Sequence, residues 1–350
     1  MMSETWKMQE IKGLDEEAMK LCRRKWDSIA KPLHSLGKLE DYLVQIAGIT
    51  GTADVCIEKK GLVIMCADNG IVEEGVTQSG QEVTALVSEN FLSDQATAAV
   101  MCKKAGVDLF AVDIGIARDT KLINRKIAYG TKNFAKEPAM TRAEAIRALQ
   151  TGIDMVRDLK ERGYQLLATG EMGIGNTTTS SALAAVFLDK RPEEVTGRGA
   201  GLSSAGLDKK IRVIGEAIEK YRSQFHDAVD VLAAVGGLDI AGLAGVFLGG
   251  AIYHVPIVID GFISSVAALT AIRICPESRD FMLVSHASKE PATRMLLEEL
   301  RMDAALHCDM CLGEGTGAVT LFPILDMACE VYRKMSTFDE ISLEAYQPLT

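Results

Sequence analysis

Two short stretches each set a single carboxylate among glycines: Gly170-Glu171-Met172-Gly173-Ile174-Gly175-Asn176-Thr177-Thr178-Thr179 and Leu312-Gly313-Glu314-Gly315-Thr316-Gly317. Glycine lets backbone N–H groups crowd against an anion such as a phosphate, and the amide and hydroxyls after Gly175 add donors at an expected helix start. A carboxylate hemmed in by glycines makes a poor core residue, but it can be presented to a ligand as a base. Together the stretches read as an anion cradle plus a general base. A glycine-rich loop with one Glu also serves simply to turn a strand into a helix, the carboxylate favouring the helix N-terminus; either stretch alone leaves both readings open. Neither fits the common nucleotide motifs. No Lys follows Gly175 as a Walker loop requires, and the third glycine of G-x-G-x-x-G is missing after Gly173 and Gly175.

The elements that must position these carboxylates are legible as alternating patterns. Residues 5–50 read as helices with apolar positions at Leu14, Met19, Cys22 and Trp26, broken at Lys31-Pro32. Beyond them, apolar runs at Leu62–Ala67, Val107–Asp113, Gln165–Ala168, Val229–Val235, Val255–Asp260 and Phe281–Ser285 read as strands separated by amphipathic helices. Continuous apolar strands of this kind form a parallel sheet covered on both faces. Asp68, Asp113, Glu171, Gly236, Asp260 and Ser285 fall at the C-terminal strand ends, where open α/β sheets bind ligands. No internal repeat or low-complexity linker interrupts the pattern.

Composition narrows the function classes. The chain has 350 residues, 48% of them hydrophobic, enough for one large domain or one domain with a small appendage. A net charge of −10, no basic block and few aromatics argue against nucleic acid and anionic membranes as partners. Met1-Met2-Ser3-Glu4 leads into charged helical sequence rather than a signal peptide, and the long apolar stretch Ala241–Ile259 is broken by glycines and His254, so a buried helix and strand in a cytoplasmic protein are expected. Eight cysteines lie scattered without a disulfide framework. Cys308 and Cys311 form a C-x-x-C beside His307, but no second half-site completes a zinc tetrahedron, so they are expected as small buried side chains beneath the Glu314 loop.

The motifs as an ordered set resemble the nicotinate-nucleotide–dimethylbenzimidazole phosphoribosyltransferase family, which activates the lower base of cobalamin. The likeness spans nearly the whole chain. It runs from Lys31-Pro32-Leu33-His34-Ser35-Leu36-Gly37-Lys38-Leu39-Glu40 through Asp68-Asn69-Gly70, Gly130-Thr131-Lys132-Asn133-Phe134 and Gly197-Arg198-Gly199-Ala200-Gly201. Val235-Gly236-Gly237, Asp260-Gly261-Phe262-Ile263-Ser264-Ser265, His286-Ala287-Ser288-Lys289-Glu290 and the Glu314 loop follow in the family's order. The resemblance implies a Rossmann-like parallel α/β sheet with helices on both faces, spanning 55–300. It also implies a small helical domain formed from 1–54 and 301–350. A homodimer, or a heterodimer with a paralogue, is expected.

The implied reaction transfers phosphoribosyl from nicotinate mononucleotide to an aromatic base, with no cofactor and no metal. By resemblance Glu314 is the base, and Glu171 orients the ribose or steadies positive charge on it. The phosphate is expected on Gly173, Gly175, Asn176 and Thr177, around Gly199 and Gly201, and near Gly261, with Ser288 donating. Lys210 matches the family's phosphate-contacting lysine, although its neighbour Lys209 leaves open which of the two points inward. The base pocket is expected at Thr77, Ser79, Gln81, Ala85 and Leu312.

Departures from the family concentrate in that pocket. Asn69 stands where His is usual, Gly80 where Pro is usual, His34 where Gly is usual and Asp239 where Glu is common; Ala85-Leu86-Val87 replaces a Gln-Met pair. These changes leave phosphate handling alone and point to broadened acceptance, extending from benzimidazoles to phenols. The competing readings are a weakly active subunit of a heteromeric phenol-activating transferase, against which both glutamates stand, and a Rossmann oxidoreductase, against which the missing dinucleotide fingerprint stands.

Overall fold

The computed structural model describes residues 10–346; the reading of a missing leader at Met1–Glu4 and the helical reading of 5–9 lie outside the described residues. Six strands form one sheet: β1 (Lys60–Ala67), β2 (Val107–Gly115), β3 (Ile123–Asn124), β4 (Leu166–Met172), β5 (Ile257–Ile259) and β6 (Met282–Val284). Every pairing is parallel and the order is β3-β2-β1-β4-β5-β6. The order reverses between β1 and β4, which creates a crevice outside their C-terminal ends.

Thirteen helices connect and cover the strands among the described residues. They are α1 (Glu16–Ser28), α2 (Lys38–Thr50), α3 (Glu82–Asn90), α4 (Thr97–Ala105), α5 (Arg142–Glu161), α6 (Asn176–Phe187) and α7 (Pro192–Val195), then α8 (Ser204–Tyr221), α9 (Ala228–Val235), α10 (Leu238–Tyr253), α11 (Phe262–Ile274), α12 (Thr293–Leu300) and α13 (Thr316–Lys334). The two-residue period of a strand divides β1 between two cores. Val63, Met65 and Ala67 pack with α5, α6 and α8–α12, whereas Leu62, Ile64 and Cys66 pack with α1, α2, α4 and α13. The helices from the two termini thus meet each other on the second face, where Trp26 of α1 packs at a tilt against Tyr332 of α13 with ring centroids 4.9 Å apart.

Two differences from the sequence reading have physical causes. Val229–Val235 is not a strand but part of α9, which starts where Asp227 caps it by accepting the Asp230 N–H at 2.9 Å. A helix buried on nearly all sides has no polar face, so its apolar run carries no helical period to read. The remaining strand, β3, is two exposed residues at the sheet edge and has no apolar signature. The Ala241–Ile259 stretch does form a buried helix and strand, and none of the helices is long and apolar enough to cross a membrane among the described residues.

Candidate active site

The two glycine–carboxylate stretches, far apart in sequence, touch. β4 runs on through Gly170 and Glu171 to Met172, so Glu171 projects from the C-terminal end of a central strand. A side chain at Gly170 would come within 2.7 Å of the Glu314 carbonyl, and one at Gly313 would overlap Glu171 Oε1. Each stretch therefore needs a glycine at the point where the other crosses it. Glu314 itself sits in the left-handed region at φ 60°, held where Thr316 N–H returns to the Gly313 carbonyl at 3.1 Å before α13 begins. Asp260, at the end of β5, anchors that helix start by accepting the Ala318 N–H at 2.9 Å.

Between these elements lies a cavity of about 300 Å³, whose walls carry Glu171, Asn176, Asp260, His286, Glu290 and Glu314. Its carboxyls are costly to ionise. Burial raises the Glu314 carboxyl above the usual carboxylate range, with the charge of Asp260 adding to the rise and the Ala98 N–H, 3.3 Å from Oε2, opposing it. That N–H belongs to the first turn of α4, where a carboxylate is favoured. Burial pushes Asp260 up to about 6 in spite of the N–H groups of Ala318, Gly261, Gly317 and Gly315. Burial and then the charge of Asp239 raise Glu171 to about 8, against the hydrogen bond it accepts from the Asn176 amide. Asp239 is itself raised by burial. His286 is lowered by burial, so the imidazole is predominantly neutral at pH 7.

The part of the wall formed by Asn176 and Thr177, with Lys210 behind it, suits an anion. Gly175, at φ 95°, turns the chain into α6, whose N-terminus opens onto the cavity. Three N–H groups of this turn are engaged internally: Ile174 to Thr84 Oγ1 at 3.0 Å, Asn176 to the Gly173 carbonyl at 3.0 Å, and Thr178 to the Gly175 carbonyl at 2.9 Å. Lys210 of α8 is fully buried and donates to Thr177 Oγ1 at 2.9 Å and the Gly197 carbonyl at 3.2 Å. Burial lowers its ammonium to about 8, against the pull of Glu290. Lys209 is only half-buried, its ammonium beside Gly75.

The other residues singled out from sequence distribute as follows. Gly173, Asn176, Thr177, Gly199, Gly261, Ser288 and Leu312 line the cavity with Glu171 and Glu314. Gly175, Thr77 and Ser79 line a smaller hollow of about 90 Å³ that shares Gly173, Asn176, Thr177 and Gly199 with it. Gly201 lies just outside, its carbonyl accepting from Gln78. Gln81 turns away to donate to the Asn69 carbonyl at 3.2 Å, and Ala85 is buried in the second core rather than on either wall. Cys308 and Cys311 are exposed, contrary to the expectation of buried packing; Cys311 reaches the cavity rim because the loop before Gly313 lies over the surface and not beneath it. No cluster able to hold a metal occurs among the described residues. Sequence reasoning placed Asp260 at a ligand-facing strand end, noted Asp239 as a departure and quoted His286 and Glu290 within a motif, but gave none of the four a specific role. An acid in the first turn of the otherwise apolar α10 was the available signal for Asp239.

Comparison with known proteins converges on one group. Residues 11–342 match a family described as phosphoribosyltransferase. A protein of Acetivibrio thermocellus named nicotinate-nucleotide–dimethylbenzimidazole phosphoribosyltransferase is 47% identical over 97% of this chain and 98% of its own length. One of the same name from Ruminiclostridium cellulolyticum is 48% identical over 97% of each chain. The crystal structure of the enzyme of that name from Thermus thermophilus superposes with a TM-score of 0.88 at 36% identity, covering 95% of this chain and 99% of that one.

Proposed function

The chain belongs to the nicotinate-nucleotide–dimethylbenzimidazole phosphoribosyltransferase family, and from that premise we propose that it transfers the phosphoribosyl group of nicotinate mononucleotide to a benzimidazole. The products are an α-riboside 5′-phosphate, the lower-base nucleotide of a cobamide, and free nicotinate. The observation that carries the reading is the crossing of the two glycine–carboxylate stretches, which sets Glu314 and Glu171 on one cavity with the α6 N-terminus, whose Thr177 accepts from the buried Lys210 behind it.

The chemistry asks little of the protein beyond that. Nicotinate is already a pyridinium in the donor, so the bond from the anomeric carbon breaks with its electron pair passing to the ring nitrogen, and no general acid is needed. One benzimidazole nitrogen attacks the anomeric carbon from the face opposite nicotinate, inverting β to α. The other nitrogen then releases its proton to Glu314. Burial that raises Glu314 suits it to this task, since a base is most effective when its affinity for the proton approaches the working pH. Lys210, Thr177 and the start of α6 hold the 5′-phosphate. Asp260 faces the ribose, where an oxocarbenium-like state develops positive charge, and Glu171, raised to about 8 by burial and by the Asp239 charge, orients a ribose hydroxyl as the carboxylic acid.

The acceptor is the finer part of the proposal. The apolar side chains on the cavity wall, Met172, Ile174, Phe262, Ile263 and Leu312, offer few polar handles for the base, which favours a range of benzimidazoles and, at higher pH, phenols. A phenol with a pKa near 10 cannot be fully deprotonated by a carboxylate near 4.3 without a cost of about 8 kcal/mol, so its attack must be concerted with proton transfer. The purified chain, alone, should release nicotinate with 5,6-dimethylbenzimidazole and yield an α-configured product by NMR; phenol and p-cresol should react with a steeper dependence on pH. Absence of nicotinate release with every acceptor would overturn the function, and strict benzimidazole selectivity would overturn only the broadened acceptance.

A further inference from the structure

Asp239 is completely buried at the first turn of α10, yet no step of the proposed reaction uses it. Its Oδ1 accepts the Ile240 N–H at 3.0 Å, and its Oδ2 accepts from Asn176 Nδ2 at 3.1 Å. The same Asn176 nitrogen donates to Glu171 Oε2. A carboxamide nitrogen carries two hydrogens, so one amide bridges two carboxyls and its hydrogens are both spoken for. Turning the amide over would set its oxygen against two carboxyl oxygens. Glu171 Oε1 in turn lies against Gly313, the residue before Glu314, where it leaves no room for a side chain. The contacts form an unbroken chain from α10 to the turn that carries the candidate base.

The surroundings are cut to fit this chain. A side chain at Gly237 would collide with Asp239 Oδ1, and one at Gly173 would come within 2.8 Å of Asp239 Oδ2. The Asn69 amide lies against the same two glycines, wholly buried, and neither of its polar atoms has a partner among the described residues. Asn176 is therefore the side chain through which Asp239 reaches the site. We propose that Asp239 is a positioning residue of the transferase: through the Asn176 amide, which donates to both carboxyls, it fixes Glu171, and behind it the Gly313–Glu314 turn, against the cavity. The inference rests on the proposed function above.

The charged and titratable groups around Glu171 are Asp239 on α10, Asp260 after β5, Cys66 and Asp68 at the end of β1, and Glu314 and His286 across the cavity. Removing the Asp239 charge takes away a like-charged neighbour, so Glu171 releases its proton at lower pH. Measured as kcat at saturating donor, where Lys210 no longer titrates freely, the alkaline limb of Asp239→Asn should move down by about one pH unit. Its kcat should fall about tenfold or more, with the KM for nicotinate mononucleotide within about threefold.

A double-mutant cycle with Glu171→Gln separates positioning from general structure. If Asp239 acts through Glu171, the double variant should be no slower than Glu171→Gln alone, within about twofold. Additive losses, or an unmoved alkaline limb, would overturn the proposal. Should Asp239→Asn not fold, the same cycle with Asp239→Ser decides it, non-additivity supporting and additivity refuting. A wild-type chain that releases no nicotinate refutes the function itself, whereas a working wild type with an additive cycle refutes only the role of Asp239.

Discussion

Replacing Glu314 by Gln removes the proton acceptor and little else. The Gln oxygen can still accept the Ala98 N–H that Oε2 accepts at 3.3 Å, and the left-handed turn is held by backbone bonds rather than by the Glu314 carboxyl. The loss should therefore be chemical. General-base assistance of roughly 10²–10⁴-fold corresponds to about 2.7–5.4 kcal/mol of transition-state stabilisation. kcat with 5,6-dimethylbenzimidazole should fall by that factor. The Kd of nicotinate mononucleotide, measured by calorimetry, should stay within about threefold because Lys210 and the α6 N-terminus are untouched. The wild-type acid limb belongs to the same group. Glu314 must be ionised to act, so activity is present above its raised pKa and is lost as pH falls through it; this limb should vanish in the variant. An acceptor with no proton to shed, 1-methylbenzimidazole, should be impaired far less than benzimidazole. A variant keeping more than about a tenth of the wild-type rate would refute the assignment of Glu314 as base.

Lys210→Ala should weaken donor binding by about 10–150-fold through the phosphate, with the KM for acceptor unchanged; an equal loss from Lys209→Ala instead would show that the wrong lysine was chosen. Because burial holds the Lys210 ammonium at about 8 and its charge disappears as pH rises, kcat/KM for the donor should decline above that pH in the wild type and lose the decline in Lys210→Ala. Replacing Cys308 and Cys311 together by Ala should change stability by no more than about 0.5 kcal/mol in urea unfolding, since both are exposed; a larger loss would show that the loop is packed. Gly245→Ala should destabilise by about 1–3 kcal/mol or more, because its Cβ would overlap the Leu149 carbonyl where α10 crosses α5, and an unchanged midpoint would contradict that crossing.

Much of the architecture was legible in the residues because its signals are local. A parallel sheet buried on both faces writes itself as short apolar runs ending in Gly, Asp or Ser, and five of the six expected runs are strands. The glycine–carboxylate stretches were legible for a similar reason: glycine is required where backbone must approach closely, and a carboxylate kept there stands out against the apolar background. Signals failed where burial erased them. α9 has almost no solvent-facing side to give it a helical period, and β3 has no buried side to make it apolar. Ala85 sits in the core although a neighbouring loop lines the site, because one turn of α3 presents successive residues in different directions.

What the chain by itself determined is the set of groups available for chemistry and the strand ends that carry them. Only the tertiary structure decided how those groups act on one another. Nothing in the spacing says that Gly170 lies under the Glu314 backbone, that Lys210 rather than Lys209 turns inward, or that Asn176 bridges Glu171 to Asp239. Each of these is a contact between segments distant in sequence, and its strength depends on the exclusion of water. A carboxyl's affinity for its proton is set by burial and by neighbouring charge, neither of which exists until β1, β4, β5 and the loop before α13 have come together around the cavity.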